Sequence, residues 1–468
     1  MRHEKGSHTR KIAVAGVVTP RGLGDALQCC VTVKLLQKFF HEAEVTYLCP
    51  ELKSGFSVFK TLNLNAHLLD LGPVGQEHVL GYLLLQSLLH KSTLKREKKS
   101  HSQNPNEKAN MLLRIIELCI RLYGKHITPY IIDKYVNSFV MKSFSFDASI
   151  FGGHTICGGI YSFIHKYEAL RSVTDGPIVT SPISISNLAL KHYEQEHSKF
   201  KKSIMLKRLR HSLQKFDFIY TRGPYSLKIL RDYLNIDEGK VAMALDSGFG
   251  TKLIYPRIKS SKTLNRKLKI LILPRKDYFY EYKREDLYKL YLNSFVELIL
   301  WLSKNFDIEV YLTSQTIDVK YNMIGGQAAV NDLLSILEKH DNKHLKYLKS
   351  VKPEGLVSAC KLSSSMDLVI TSYMHGGIMA LSLGVPMFFI LPSADIKVLD
   401  ILSFLGLDVN SFFIDAFAPN LLKAENLVNK IGKVVENLKF YKKSLEHTIN
   451  RTLPTIELPV KKLIELLE

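Results

Sequence analysis

Cysteine is scarce in this chain, and none of its six cysteines stands in a C-x-x-C pair. This scarcity argues against a disulfide-rich extracellular scaffold and against a structural zinc site. The basic N-terminus is followed by a short apolar run, KIAVAGVV, which leads into TPRGLGD and not into a small-residue cleavage site. That pattern does not fit a signal peptide. We therefore expect a cytoplasmic protein without structural zinc.

Short catalytic motifs are absent as well. The sequence has no H-E-x-x-H, no G-x-S-x-G, no Walker A loop and no carboxylate pair that its spacing singles out. These absences argue against zinc proteases, serine esterases and P-loop nucleotide hydrolases. The chain also lacks an RNP-type aromatic motif, a Cys/His zinc finger and an RGG repeat, so we expect no nucleic-acid partner.

Positive charge, by contrast, is abundant. The chain has 64 lysines and arginines against 44 acidic residues, which gives a net charge of +20. Such a balance favours an anionic partner, for example lipid head groups or a phosphorylated small molecule. The most basic segment, residues 199–215, is predicted to be a helix. A solvated helix face is one interpretation of this segment, and contact with an anionic membrane surface is the other.

A long uncharged segment runs from Leu368 to Ala394, 27 residues without Asp, Glu, Lys or Arg. Its length would span a membrane, but several glycines and Pro386 interrupt it. The pattern predicts a strand in DLVITSY, a helix in HGGIMALSLG that ends at Gly384, and a second strand in VPMFFIL. His375 then stands where a strand ends and a helix begins, which is where open α/β sheets bind ligands. A core or capping histidine is the alternative.

Short apolar segments alternate with helical segments along the whole chain, which is typical of an α/β protein with parallel sheets. At 468 residues the chain exceeds one ordinary core, and the pattern restarts at LKILIL after a basic linker. We therefore predict two halves with a site in the cleft between them. The predicted boundaries are 1–250 for the N-terminal domain, with a helical and basic insertion at about 76–145, then 266–420 for the C-terminal domain and 421–468 for C-terminal helices.

Glycines follow two of the predicted strands in the first half. Gly24 and Asp25 lie in TPRGLGDALQ after the first strand, and Gly152 and Gly153 follow the strand DASIF. Glycine lets a ligand approach the backbone closely, so these loops are candidate binding loops. The first is not a full dinucleotide fingerprint, because Leu27 stands where the third glycine would be. Ordinary connecting loops are the alternative for both.

Cationic and polar side chains follow other predicted strands. Arg222 comes after DFIYT, with Ser226 four residues later, and Arg275 comes after LKILIL. An arginine at a strand end can hold a carboxylate or phosphate through two hydrogen bonds. Pairing with a neighbouring carboxylate, or exposure in a solvated loop, is the alternative. Gln315 ends a further strand and is a weaker candidate.

Taken together, these stretches resemble the polysaccharide pyruvyl transferase family. The resemblance rests on GLGDALQ, DASIFGG, the R-x-x-x-S element RGPYS, the strand end LDSGF and the unit TSYMHGGIMALSLGVPMFFI, followed by DIKVLDILSFLGL. It extends in order over most of residues 11–410. The most specific element is the turn that carries His375, which the family pattern writes as Arg-x-His-(Ala/Gly) before a G-x-P strand.

The resemblance implies an α/β fold of two Rossmann-like domains facing across a cleft, as in glycosyltransferases of the GT-B type, with a helical insertion in the first domain. It implies transfer of a pyruvyl group from phosphoenolpyruvate, as donor substrate and without a cofactor or metal, to sugar hydroxyls of a glycan. By this likeness His375 is the catalytic acid/base, and Arg222 and Arg275 hold the phosphate and carboxylate. The remaining substrate-binding candidates are Gly24, Asp25, Gly152, Gly153, Ser226, Gln315, Tyr373, Gly376 and Lys397.

One residue departs from the family pattern. Tyr373 stands where the pattern has arginine, and tyrosine carries no positive charge. The donor grip is then supplied by Arg275 or Lys397, or the donor differs. Two alternatives follow: a glycosyltransferase of the same fold with a nucleotide-sugar donor, and a non-catalytic relative that binds a glycan or anion. Residues 376–391 contain no acidic side chain for a ribose, which speaks against the first.

Overall fold

Two parallel sheets organise the chain in a computed structural model that describes residues 9–15, 23–49, 67–70, 145–152, 155–156, 160–185, 199–256, 267–315, 325–340, 348–393 and 396–468. The predicted helical and basic insertion at about 76–145 lies almost entirely outside the described residues, as do Gly153 and most of the linker between the halves. All strand pairs within the two sheets are parallel, as the alternating pattern predicts.

The first half contains the five-stranded sheet. The strands of this half, β1 to β9, are Lys11–Ala15, Glu44–Cys49, His67–Asp70, Ala148–Phe151, Thr155–Ile156, Ile178–Thr180, Ser184–Ile185, Ile219–Thr221 and Val241–Met243. Its helices α1 to α5 are Leu23–Phe39, Ile160–Val173, Lys199–Gln214, Pro224–Lys228 and Thr251–Ile254. The strand order is β3-β2-β1-β4-β6, and β5 with β7 and β8 with β9 form smaller pairs.

The second half contains the six-stranded sheet. Its strands β10 to β15 are Leu268–Leu273, Ile308–Leu312, Leu348–Ser350, Leu368–Thr371, Met387–Leu391 and Phe413–Asp415. Its helices α6 to α12 are Asp277–Glu281, Glu285–Asn305, Gly326–Leu337, Leu356–Ser364, Met374–Ser382, Ile396–Leu405 and Val409–Phe412. The strand order is β12-β11-β10-β13-β14-β15, which in order along the half is 3-2-1-4-5-6, the doubly wound Rossmann arrangement.

Each sheet has a topological switch point, where the strand order reverses. In the first sheet this point lies between β1 and β4, and in the second it lies between β10 and β13. Ligands of open α/β sheets bind outside the carboxyl ends of the strands at such points. The loops that carry Gly24 with Asp25, Gly152, Arg275 and His375 all follow these four strands.

The apolar side chains of the strands separate into layers because successive residues point to opposite faces. On β10, Leu271 and Leu273 face a core that lies between the two sheets, whereas Ile270 and Ile272 face the outer core of the second half. The core between the sheets also contains side chains of α1, α9 and α10. The two halves therefore share one apolar layer, and the candidate site must lie at its edge.

The uncharged segment 368–391 forms the predicted strand, helix and strand within this layer. Its strand residues are buried, and α10 ends at Gly384, whose φ of 72° lies in the left-handed region that glycine adopts readily. The amide of Val385 then donates to the carbonyl of Ala380 at 2.9 Å and closes the helix end. No helix among the described residues has the length and apolarity needed to cross a membrane.

Three C-terminal helices, α13 (Ala424–Glu436), α14 (Leu438–Thr452) and α15 (Leu458–Leu467), complete the chain, as the sequence predicts. They do not stay with one half. Helix α13 packs against α7 of the second half, whereas α15 packs against β4 and β6 of the first sheet. The end of the chain therefore returns to the N-terminal half and joins the two halves a second time.

Candidate functional site

Gly24 of the first half packs against His375 of the second half at the candidate site. A Cβ atom added to Gly24 would lie 2.1 Å from Nδ1 of His375. Both residues stand at helix starts, Gly24 in the first turn of α1 and His375 in the first turn of α10. Two helix N-termini therefore converge on the same place. Because helix N-termini favour negative charge, this place is suited to an anion. The structure thus brings these two predicted residues together.

The turn that precedes α10 fixes the direction in which His375 enters the site. The hydroxyl of Thr371 accepts a hydrogen bond from the Tyr373 amide at 2.9 Å. Gly376 packs against Gln315, since a Cβ at this glycine would lie 2.8 Å from the Gln315 side-chain nitrogen. The Gln315 carbonyl in turn accepts a hydrogen bond from the amide of Leu23 at 3.0 Å. Gln315 therefore contacts both converging helices.

Asp246 lies beside His375 and is completely buried. Its carboxylate forms an ion pair with Arg222, whose Nε lies 2.5 Å away, and accepts hydrogen bonds from the side-chain amide of Gln28 at 2.5 Å and the backbone amide of Gly248 at 2.8 Å. Burial alone would raise the pKa of Asp246, but the charges of Arg222 and His375 and these hydrogen bonds hold it below its ordinary value. A carboxylate that stays ionised next to an imidazole can stabilise its protonated form.

Arg222 is almost entirely buried, with 1% of its surface exposed. Arg222 pairs with Asp246, which is the second of the two interpretations that the sequence allowed for this arginine. Because a buried cation needs a partner, the pair explains how the structure accommodates an arginine here. Arg222 also lies near Asp25 and Asp400, whose pKa values its charge lowers.

Asp25 occupies the first turn of α1, next to Gly24. The pKa of its carboxyl is raised from 3.8 to about 6, because burial, helped by the nearby charge of Asp246, outweighs the lowering effect of Lys397, Arg222 and Arg275. Of these three cations, Lys397 in the first turn of α11 lowers the pKa of Asp25 most. Asp25 and Lys397 therefore interact electrostatically across the two halves, and Arg222 and Arg275 add to the positive potential at this carboxyl group.

Arg275 follows β10 and lies between two tyrosine rings. Its guanidinium carbon is 3.6 Å from the centre of the Tyr278 ring and 5.1 Å from that of Tyr373. Its Nε and Nη2 atoms contact the carboxylate of Asp277 at 2.6 and 2.5 Å. The pKa of Arg275 is well above its ordinary value, because Tyr278 and Asp277 outweigh the effect of burial. A permanent cation thus stands over the ring of Tyr373.

Ser226 has a different environment from the residues around His375. Its hydroxyl donates to the carboxylate of Asp400 and accepts a hydrogen bond from the Ile185 amide at 2.9 Å. Asp400 also accepts from the amides of Tyr225 and Ser226 at 2.9 and 3.1 Å. Since Asp400 belongs to α11 of the second half, this buried cluster ties the two halves together. Burial raises the pKa of Asp400.

Gly152 lies at the end of β4, where its amide donates to the carbonyl of Ala15. It therefore stands at the switch point of the first sheet, as predicted, while Gly153 is outside the described residues. The basic helix α3 packs against α2 of the first half. Its Lys207 and Arg210 are exposed, and Leu209 and Leu213 are buried against the outer core.

Sequence patterns did not single out Gln28, Asp246 or Asp400 as separate candidates. All three lie within the family-like stretches GLGDALQ, LDSGF and DIKVLDILSFLGL, but nothing local indicates their partners. Within the described residues, no group of three or more His, Cys, Asp or Glu side chains is arranged to hold a metal ion. What the geometry offers is an imidazole, a carboxyl with a raised pKa and two helix N-termini among several cations.

The fold matches solved structures of the GT-B type. UDP-GlcNAc 2-epimerase from Neisseria meningitidis, bound to UDP-GlcNAc, superposes with a TM-score of 0.53 at 11% identity, covering 98% of this chain and 99% of that one. UDP-GlcNAc 2-epimerase from Methanocaldococcus jannaschii gives a TM-score of 0.50 at 12% identity, covering 91% and 92%. The chain therefore has two Rossmann-like domains in a GT-B-like arrangement.

The family is defined by the sequence itself. Residues 23–393 match the family profile described as polysaccharide pyruvyl transferase, which spans most of the chain. The chain therefore belongs to the polysaccharide pyruvyl transferase family. No curated protein sequence matches it significantly. The family indicates a glycan-modifying, transferase-like enzyme.

Proposed function

We propose that this chain transfers a pyruvyl group from phosphoenolpyruvate to two hydroxyls of a glycan sugar and forms a cyclic ketal. The observation that supports this most is the position of His375, which lies at a convergence of two helix N-termini beside the acidic and basic side chains described above. Phosphoenolpyruvate carries a phosphate and a carboxylate, so its site needs cations and backbone amides. The family supplies the reaction class.

The proposed reaction needs two proton transfers and no oxidant. One sugar hydroxyl attacks C2 of phosphoenolpyruvate, and its proton is balanced by protonation of the methylene carbon, which becomes a methyl group. The second hydroxyl then forms a bond to the same C2 atom as the bond to phosphate breaks. Its proton leaves with the phosphate. The products are a pyruvate ketal of the sugar and inorganic phosphate, so a group that both donates and accepts protons is required.

His375 is the group we assign to these proton transfers. Its neighbour Asp246 is ionised and buried, so it stabilises the imidazolium that forms when His375 takes up a proton. Asp25 is the second titratable group at this place, and a pKa of about 6 lets it change its protonation near neutral pH. We assign Asp25 to the acceptor hydroxyl, because its ionised carboxylate can accept the hydroxyl proton at neutral pH.

The donor grip is assigned to Lys397 and Arg275. In the family pattern an arginine stands at the position of Tyr373, but here Arg275 lies over the ring of that tyrosine, so a cation from β10 stands near the same place. Asp277 contacts two of the three guanidinium nitrogens of Arg275, and we assign the third, Nη1, to the donor. The tyrosine is then an adapted residue whose ring supports the cation.

Three further predictions, which concern membrane contact, location and domain boundaries, remain proposals. The exposed basic residues of α3 are compatible with contact to anionic lipid, and vesicles that contain anionic lipid should then retain the protein at low salt. We also propose a cytoplasmic location, which agrees with a reaction that uses phosphoenolpyruvate as donor. The domain boundaries at 250, 266 and 420 also remain predictions.

The proposed activity can be measured as phosphate released from phosphoenolpyruvate in the presence of glycan acceptors, with mass spectrometry of the glycan. We expect phosphate release that depends on the acceptor, together with a glycan that has gained a ketal-linked pyruvate. His375→Asn should abolish both signals, whereas His447→Asn on α14 should leave them unchanged. Transfer of a sugar from UDP-GlcNAc, with no reaction of phosphoenolpyruvate, would instead support the glycosyltransferase alternative.

A further inference from the structure

A row of aromatic side chains leads away from the candidate site across the second half. It begins at Arg275, whose guanidinium stacks on Tyr278 at 3.6 Å. The Tyr278 ring centre is 6.5 Å from that of Tyr282, and Tyr282 meets Phe417 edge to face at 5.4 Å. We call Tyr278, Tyr282 and Phe417 the aromatic platform. It is continuous with the site because Arg275 contacts Tyr373 on its other side.

The platform is open to solvent at its outer end. Tyr278 is buried, with 8% of its surface exposed, whereas Tyr282 is 36% exposed and Phe417 is partly buried. Arg284 lies 5.7 Å from the centre of the Phe417 ring and pairs with Asp286 at 3.3 Å. An aromatic face therefore lies next to groups that donate and accept hydrogen bonds. Sugars are complementary to such a surface, because they have an apolar face of C–H groups and a rim of hydroxyls.

The backbone holds Tyr282 firmly in place. Its amide donates to the Tyr278 carbonyl at 3.0 Å, and the amide of Arg284 donates to the carbonyl of Phe279 at 2.6 Å. Between them Lys283 adopts a φ of 53°, in the left-handed region that side-chain-bearing residues rarely occupy. A tyrosine on a fixed turn provides a large contact area at low entropic cost, which is the property of a binding surface.

We propose that the aromatic platform binds sugar units of the glycan acceptor that lie beyond the sugar being modified. This proposal rests on the proposed function, since the glycan would extend from the site past Arg275 and stack on Tyr282. In this arrangement one sugar occupies the site and a further unit occupies the platform, so the platform selects oligosaccharides over monosaccharides. It thereby assigns the substrate class as a glycan chain with at least one further unit in contact with the protein.

The chain offers a matched control on the same short helix. Tyr280 is also exposed, at 48%, but it lies two residues from both Tyr278 and Tyr282 and so points to another side of α6. Its ring neighbours Lys276 at 5.6 Å and not Arg275. Tyr280→Ala removes an exposed tyrosine ring two residues away from Tyr282, whereas Tyr282→Phe keeps the ring of the platform and removes only its hydroxyl.

The test measures binding of the full-length chain to an immobilised panel of glucans, galactans, mannans and amino-sugar oligosaccharides, with their monosaccharides alongside. We expect Tyr282→Ala to weaken oligosaccharide binding by about tenfold or more, and Tyr280→Ala and Tyr282→Phe to change it by less than about twofold. Equal losses in Tyr280→Ala and Tyr282→Ala, or no loss in either, would overturn the proposal. So would a wild-type chain that binds no oligosaccharide of the panel.

Two parallel titrations separate this proposal from the proposed function. Phosphoenolpyruvate binding should be the same in Tyr282→Ala as in the wild type. If phosphoenolpyruvate does not bind but oligosaccharide binding depends on Tyr282, the platform stands and the pyruvyl donor is wrong. If Tyr282→Ala weakens binding of UDP and leaves glycan binding intact, the ring stacks on a nucleobase and the glycan proposal is wrong.

Discussion

Nε of Arg222 lies 2.5 Å from the carboxylate of Asp246, and both side chains are almost completely buried. The same carboxylate accepts a hydrogen bond from Gln28 of α1 and lies beside His375 of α10. One ion pair therefore connects the R-x-x-x-S turn of the first half with the histidine of the second. In this account Arg222 acts on the site through Asp246, and Lys397 and Arg275 contact the donor.

Removing one partner of this pair should destabilise the fold. Arg222→Met leaves the Asp246 charge buried without its guanidinium, so we expect a loss of about 3 kcal/mol in the free energy of unfolding, measured by urea denaturation. The double variant Arg222→Met/Asp246→Leu should recover part of this loss, because no charge remains buried. A stable Arg222→Met chain with weakened phosphoenolpyruvate binding would show instead that Arg222 grips the donor directly.

The raised pKa of Asp25 predicts a dependence of stability on pH. The pKa of its carboxyl is 3.8 in the unfolded chain and about 6 in the folded chain. Between these pH values the folded state therefore binds more protons than the unfolded state. Stability should then fall as pH rises from about 4 to about 6, by roughly 1–3 kcal/mol. We expect Asp25→Asn to be more stable than the wild type at pH 7.5, by urea denaturation, with the difference smaller at pH 5. A less stable variant at pH 7.5 would contradict the assignment.

The contact between Gly24 and His375 predicts the effect of a single methyl group. Alanine usually favours a helix over glycine by about 1 kcal/mol, but in Gly24→Ala the new Cβ would occupy the place of the imidazole. We expect His375 to be displaced, with a loss of about 100-fold in transfer rate and about 1–3 kcal/mol in stability. Gly239→Ala, whose Cβ would meet only ordinary contacts, is the control. Normal turnover in Gly24→Ala would show that the imidazole does not need this position.

Ser226 provides a prediction about structure as opposed to binding. Ser226→Ala removes the hydroxyl that joins Asp400 and the Ile185 amide, which leaves buried polar groups with fewer partners. We expect a loss of about 1–3 kcal/mol in stability and no change in affinity for phosphoenolpyruvate. Ser365→Ala, at an exposed serine, should alter neither quantity. Weakened donor binding at unchanged stability would restore Ser226 as a substrate-binding residue.

Most strands and their parallel pairing could be predicted because they depend on local patterns. Runs such as LKILIL and DLVIT are apolar on both faces, as strands of a parallel sheet must be, and strands alternating with helices leave few topologies. The predicted strand, helix and strand around His375 are confirmed for the same reason. Short edge strands such as Leu348–Ser350 and Phe413–Asp415 were not predicted, since three residues give little periodicity.

The partners within the site could not be predicted from the sequence. Gln28 and Asp246 are separated by 218 residues, and Ser226 and Asp400 by 174 residues, so no local pattern relates them. Arg222 illustrates the consequence: a strand-end arginine can grip a ligand or pair with a carboxylate, and only the fold decides which carboxylate is near. Tyr373 replaces the arginine of the family pattern, and only the fold shows that Arg275 lies over the ring of this tyrosine.

The measurement that tests the central claim most directly is calorimetric titration of the purified protein with phosphoenolpyruvate, with UDP-GlcNAc in parallel. We predict that phosphoenolpyruvate binds, that Lys397→Ala weakens its binding by about tenfold or more, and that Lys289→Ala, at an exposed lysine of α7, leaves it unchanged. The account would be contradicted if phosphoenolpyruvate failed to bind while UDP-GlcNAc did, because the GT-B-like fold would then serve a nucleotide-sugar donor.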